Sequence, residues 1–320
     1  MANGMASLMV GSSGLRSAQT ALNTTAHNLS NVNTQGYTRQ QVTFTDTTYA
    51  NVFSSSIVPG KYGLGVDIGA ISRVRNDFID RSYRTEYSRL GFYESQANAV
   101  YEVEDWFGEM QGVTYQQHIT DLYNSINELT KNPTSTIARS SLIQNATAFI
   151  DRSQAIYSGL KDYQITLNTE VSSMVDKINE LGQKIYSLNK SISKVESGGV
   201  ERANDLRDTR DIALDELSQY LDIDYYETTD GQIIISAENI PFVSKSEVNT
   251  MDVRQEGQYG LLIPEWPAYE KDVFSFEKAA SNANNNDKGK LKGLLVARGT
   301  IDVNYQDVPV MPDKSDYDLT

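Results

Sequence analysis

Two apolar rows with a seven-residue period run side by side through the middle of the chain. One is Leu167, Met174, Leu181, Leu188 and Val195; the other is Val171, Ile178, Ile185 and Ile192. Such a double row predicts a helix with one continuous apolar seam. No proline falls between Pro133 and Gly198-Gly199, so the helix is expected to run from about Thr136 to the glycine pair, roughly 90 Å at 1.5 Å per residue. Each seam side chain contributes about 1.5–3 kcal/mol when buried, so the seam needs a partner. A second helix of the same chain is the favoured partner, because it is present at far higher effective concentration than another copy. A parallel homodimeric coiled coil is the alternative.

Three further helices are expected. One spans about 77–110, with Asn76 as N-cap, Asp77 and Asp80 at its positive end, and seven-residue rows Tyr83/Leu90/Ala97 and Tyr93/Val100/Phe107. The next, about 116–131, carries the stripe Ile119, Leu122, Ile126 and Leu129 and ends at Asn132-Pro133. The last begins near Asn204 and places Leu206, Ala213, Leu217 and Tyr220 toward the bundle. From Leu221 the period changes. Ile223–Glu227, a Thr229-Asp230-Gly231 turn and Gln232–Ser236 read as a hairpin, with Ile240–Val243, Leu261–Ile263 and Val273–Phe276 as further strands. Thr43–Thr45 and Val66–Ile71 read as short strands before the first long helix. The fold class is therefore mainly α with an appended β domain (α+β). It comprises an N-terminal helix, an elongated antiparallel helical bundle with a coiled-coil-like helix, and a small antiparallel β domain. The expected divisions are 1–40, a terminal assembly helix disordered in the monomer; 41–76, a β/loop connector; 77–221, the bundle; 222–300, the β-rich outer domain; and 301–320, the start of a further segment.

The N-terminus differs in chemistry from everything after it. Leu8, Leu15, Leu22 and Leu29 recur every seven residues, each followed three positions later by Gly11, Ala18, Thr25 and Val32. Yet the first 45 residues hold no Asp or Glu, and only Arg16 and Arg39 are charged. A helix that merely covers its own domain carries a charged outer face; here Ser, Thr, Asn and Gln replace it. A neutral surface can be enclosed by neighbours without stranding a buried charge, so the segment reads as an assembly element. Asn28, Asn31 and Asn33 weaken its end, and Gly36 supplies a left-handed stop or a turn before Tyr37.

Charge and composition exclude several functions. Net charge is −14 over 320 residues. Residues 1–76 carry +3, leaving −17 on the rest, which argues against nucleic-acid binding. No apolar run approaches the ~20 residues of a membrane span. There is no secretory signal, and one arginine is too little for a transit peptide. Cysteine is absent, which removes disulfides and thiolate chemistry. His27 and His118 lie on different expected helices, and Gly63-x-Gly65 lacks a phosphate-loop lysine. The amide-rich Asn282–Asp287 loop lacks the terminal glutamate of a calcium loop. No catalytic residue, cofactor or metal is expected.

The pattern Ala-x-Asn-x-x-Ala-x-Asn-Leu-x-Asn-x-Asn-Thr-x-Gly-Tyr, here Ala21 to Tyr37, resembles the N-terminal signature of bacterial flagellar rod, hook and hook-associated proteins. Asn204-Asp-Leu-Arg-Asp-Thr-Arg-Asp211 and Lys288-Gly-Lys-Leu-Lys-Gly-Leu-Leu-Val-Ala-Arg298 resemble motifs of the FlgK family of hook-associated proteins. The resemblance implies a structural, non-enzymatic subunit of the ring joining the flexible hook to the rigid filament. It would be extracellular, exported without a cleaved signal peptide. The implied partners are further copies of itself, hook protein, a neighbouring hook-associated junction protein, and the flagellar export apparatus with a chaperone. Assembly residues would be Leu8, Leu15, Leu22, Leu29, Val32, Asn28, Asn31, Asn33, Gly36 and Tyr37. The family continues to a C-terminal helix that pairs with the N-terminal one, so this chain is expected to be the N-terminal part of such a protein. A hook or rod subunit and a secreted coiled-coil adhesin are the alternatives.

Overall fold

The structure, a computed structural model, describes residues 2–52, 60–108, 114–199, 202–256, 260–276 and 280–299. Helix α1 (Ala2–Ser30) leads into strands β1 (Gln40–Asp46), β2 (Tyr49–Val52), β3 (Gly60–Gly63) and β4 (Val66–Arg73). Then come α2 (Asp77–Phe107), α3 (Tyr115–Lys131), α4 (Thr136–Glu196) and α5 (Asn204–Tyr220). Strands β5 (Ile223–Glu227), β6 (Ile233–Ala237), β7 (Ile240–Val243), β8 (Asp252–Glu256), β9 (Leu261–Trp266) and β10 (Lys271–Asp272) precede α6 (Lys290–Arg298). All strand pairs are antiparallel: β1 with β4, β2 with β3, and the three-stranded sheets β5-β6-β7 and β10-β9-β8. The architecture is α+β, dominated by helix. The end of the chain's third expected strand group differs from the sequence reading. Val273 and Phe274 are both buried and lie outside any strand, since β10 ends at Asp272.

The chain forms two compact units, each discontinuous in sequence, whereas the divisions expected above are consecutive. The first contains residues up to Arg84, Leu181–Leu217 and Ile223–Val248; the second contains Thr85–Glu180, Ser218–Asp222 and the described residues from Asn249 onward.

In the first unit, Leu181, Ile185 and Ile192 of the α4 seam are fully buried and Leu188 half-buried. Their cover is the β5-β6-β7 sheet, not a second long helix. A Cβ added at Gly182 would lie 2.4 Å from the Phe242 ring on β7. Val195, the last residue of its row, is exposed, since the seam ends with the sheet that covers it. In the second unit, Leu167, Val171, Met174 and Ile178 are buried. There α4 meets Trp106 at Gly159, where a Cβ would lie 2.5 Å from the indole.

Helix α4 also docks on strand edges through asparagine. The Asn189 amide donates to Ile233 O (2.7 Å) and accepts from Ile233 N (3.0 Å). Asn179 does the same with Met251 (2.9 and 2.9 Å), and Asn168 with Gly260 O (3.2 Å) and Leu262 N (2.8 Å). A primary amide carries the donor and acceptor of a peptide group, so each asparagine substitutes for a missing strand neighbour.

Helix α2 reverses the sequence expectation. Tyr83, Leu90, Tyr93 and Val100 are exposed, and the buried face is Arg84, Ser88, Phe92, Ser95 and Ala99. The reason is close backbone approach. Ser88 donates to Leu221 O and Ser95 to Lys290 O, each at 3.2 Å. A Cβ at Gly293 would meet Phe92 O at 2.4 Å. Small or hydrogen-bonding side chains fit at those close approaches, with Phe92 as the one large apolar group on the buried face, while Tyr83, Leu90, Tyr93 and Val100 turn outward. Helix α3 shows the same weaker burial: Ile119 and Ile126 are exposed, Leu122 and Leu129 half-buried.

Candidate assembly interface

Helix α1 lies on the β1–β4 pair with its polar side inward. Ser17 and Thr24 are its buried residues among those whose side chains are described. The Ser17 hydroxyl donates to Val66 O, and Val66 N donates to Ser13 Oγ, both at 3.3 Å. Gly65 lets this happen, with φ +121° and a Cβ position only 2.0 Å from Ser13 Oγ. The heptad residues face the other way. Leu8, Leu15, Leu22, Leu29 and Val32 are 75, 71, 70, 73 and 70% exposed. Gly11, Ala18 and Thr25 are exposed with them. The sequence reading found the stripe; the structure places both of its rows in solvent.

The asparagine-rich end of α1 is a hydrogen-bonded corner. Asn28 Nδ2 donates to Gln40 O (2.8 Å), while its Oδ1 accepts from Gln40 N (2.9 Å) and from the Tyr37 hydroxyl (2.7 Å). It repeats the amide-for-strand substitution seen on α4. The Tyr37 hydroxyl also meets His27 Nδ1 at 2.9 Å, and its pKa is raised by burial and then by Asp208 and Asp205. Asn31 closes the turn, donating to His27 O (3.0 Å) and accepting from Thr34 Oγ1 (3.2 Å). Asn33 and Gly36 are exposed in that turn, and a Cβ at Gly36 (φ +76°) would lie 2.3 Å from the Ile212 side chain. The corner residues thus orient the helix, and the leucines present a surface.

The Asn204–Asp211 motif holds this corner. The Asn204 amide donates to Ile71 O (3.0 Å). Asp208 accepts from Thr38 N (3.1 Å) and Arg73 (2.7 Å), and Asp211 from Arg73 (2.6 Å) and Arg75 (3.1 Å). Arg84 pairs with Asp215 at 2.7 Å and covers the Tyr225 ring at 4.6 Å. On the other side Arg207 bonds Glu196 (2.7 Å) and Glu227 (2.7 Å). The Arg207 hydrogen bonds hold the Glu196 carboxyl below its usual range. Arg210 is wholly buried, bonds Gly231 O (2.6 Å) and Asn189 Oδ1 (3.0 Å), and is pushed down to about 10 by burial. Sequence reasoning missed these aspartate–arginine pairs. The signal was present: Asp208, Asp211 and Asp215 share one helix face, opposite Arg73-x-Arg75.

Among the described residues, no group of His, Cys, Asp or Glu is placed to hold a metal, and no helix is long and apolar enough to cross a membrane.

Residues 100–308, more than half of the chain, match the family model described as the flagellar hook-associated protein FlgK helical domain. The chain belongs to the FlgK family. Residues 8–38 also match the flagella basal body rod protein model, which coincides with α1 and its corner. Flagellar hook-associated protein 1 of Bacillus subtilis (strain 168) is 29% identical over 318 residues, covering 93% of this chain and 61% of that protein. The namesake protein of Escherichia coli (strain K12) is 27% identical over 228 residues, 71% of this chain and 41% of its own length. The chain therefore spans less than two thirds of these relatives. The flagellar hook junction protein FlgK from Burkholderia pseudomallei shares the fold, with a TM-score of 0.52 at 18% identity over 69% of this chain and 38% of that one.

Proposed function

We propose that the chain is part of a structural subunit of the bacterial flagellum, forming the ring between hook and filament on which the filament assembles. The observation that carries this reading is the outward apolar face of α1. Four leucines on a helix without an acidic residue, and Val32 just past its end, are each at least 70% exposed. Left in water, such a face wastes the hydrophobic contribution that its own hairpin does not collect. Neutral neighbours would bury it without stranding charge. In this reading Leu8, Leu15, Leu22, Leu29 and Val32 make the contacts, and Asn28, Asn31, Asn33, Gly36 and Tyr37 set the helix direction. The partners are further copies of the subunit, hook protein and an adjoining hook-associated protein. The subunit reaches the cell exterior through the flagellar export apparatus, with a chaperone and without a cleaved signal peptide, and it has no enzymatic role. The helical-domain match favours this reading over a hook or rod subunit, whose model covers α1 and its corner alone.

The test is deletion of the gene encoding the full-length protein, followed by electron microscopy and assay of the medium. Expected are cells with hooks but no filaments, and unpolymerised filament subunits outside the cell, both corrected by the intact gene. Filaments of normal length on the deletion strain would overturn the proposal.

A further inference from the structure

The ionic cluster between β4 and α5 does more than fill space. The arm formed by α1 and β1–β4 meets α5 through polar groups: Thr38 N and Arg73 on Asp208, Arg73 and Arg75 on Asp211, and Asn204 on Ile71 O. One apolar contribution at this contact is Ile212 against Gly36. The apolar row of α1 points away from it. Beside the cluster the arm is not packed flush. A space of about 1250 Å3 lies between α1 with β4 and the α4–α5 corner, bordered by Thr24, His27, Ile71, Arg202 and Asn204.

We propose that Asp208 and Asp211 form an electrostatic latch that holds the arm on α5, so that losing the latch frees the arm while α5 and its sheet stay folded. Three features support it. The two aspartates are one helical turn apart on the same face and are about nine-tenths buried, so their pairing with arginine is short and weakly screened. Asp211 alone is approached by Arg73, Arg75 and Arg84 at 2.6, 3.1 and 3.5 Å. Arg75 keeps Asp80 and Arg84 keeps Asp215, but removing the charges of Asp208 and Asp211 together leaves the Arg73 guanidinium buried without a counter-ion, which costs far more than a surface pair. The rest of α5 is anchored separately, by buried Ala213, Leu214 and Leu217 and by Arg207 and Arg210 on the β5–β6 side. Asp208 and Asp211 are thus positioning residues for the arm, whatever α1 later contacts.

The absence of cysteine makes the test clean. Spin labels at Gln41→Cys on β1 and Thr209→Cys on α5 report the arm–α5 distance, and amide exchange reports the fold. The parent is expected to give one narrow distance distribution. Asp208→Asn with Asp211→Asn should broaden it and raise exchange in β1 and β4 by about tenfold or more, leaving Ala213–Leu217 and β6 unchanged. Arg73→Gln, which leaves α5 intact, should act the same way. A narrow distribution kept in both variants would overturn the latch. So would a broad distribution in the parent, or equal loss of protection in arm, α5 and β6.

Discussion

Asn28, Asn168, Asn179 and Asn189 do the same work at four places: each gives a strand edge the hydrogen bonds of an absent neighbour. Asn189 is the most demanding of them, fully buried and shared with Arg210. Asn189→Ala should cost about 3 kcal/mol, since the Ile233 backbone groups and one guanidinium nitrogen lose a partner in the interior. Asn179→Ala, half-buried and without a charged partner, should cost about 1–2 kcal/mol. Denaturant midpoints of the two variants check this; equal values within about 0.5 kcal/mol would show that the Arg210 link adds nothing. These asparagines were hard to read from sequence. A polar residue beside an apolar row looks like a solvated flank until the strand edge opposite it is known. The glycines were more legible. Gly36 was expected as a helix stop or a turn; α1 ends at Ser30, and Gly36 takes its positive φ in the turn that follows, against the Ile212 side chain.

At the scale of elements, long periodic segments were legible and their faces less so. The bounds of α4 follow from its heptads and from the glycine pair. The β5–β6 hairpin follows from Thr229-Asp230-Gly231, with Glu227 opposite Ile233 as that turn requires. The partner of the α4 seam was legible only in part: α2 meets α4 in the second unit, as expected of a second helix, but in the first unit the cover is a sheet. An apolar row states that it is buried and not whether a helix or a sheet covers it. Helix α2 shows the limit most clearly, because close backbone contacts at Ser88, Gly91 and Ser95 select small groups for the inside. Helix α1 repeats that inversion at lower cost, burying Ser17 and Thr24. A helix that buries so little apolar surface has little to hold it. In dilute monomer we therefore propose rapid amide exchange over Leu8–Leu22 and slower exchange near Asn28–Gln40, where the corner is bonded. Strong protection along all of α1 would contradict this.

Over the whole molecule, charge and apolar surface are separated by role. Acidic groups concentrate after residue 76, and α1 stays nearly neutral. Family membership rests on the helical body, and the proposed mode of assembly rests on α1, so the decisive test must alter α1 without touching the body. Leu22 and Leu29 are about 70% exposed and serve no core. Leu22→Glu with Leu29→Glu in the full-length protein should leave the thermal melt within about 2 °C of the parent, as expected for surface changes. Once enclosed by neutral neighbours, the two carboxylates would have no cation to pair with. The account predicts that cells carrying the stable variant make hooks, release unpolymerised filament subunits and do not swim. A variant that melts like the parent and supports normal swimming would contradict the claim that this face is the assembly surface.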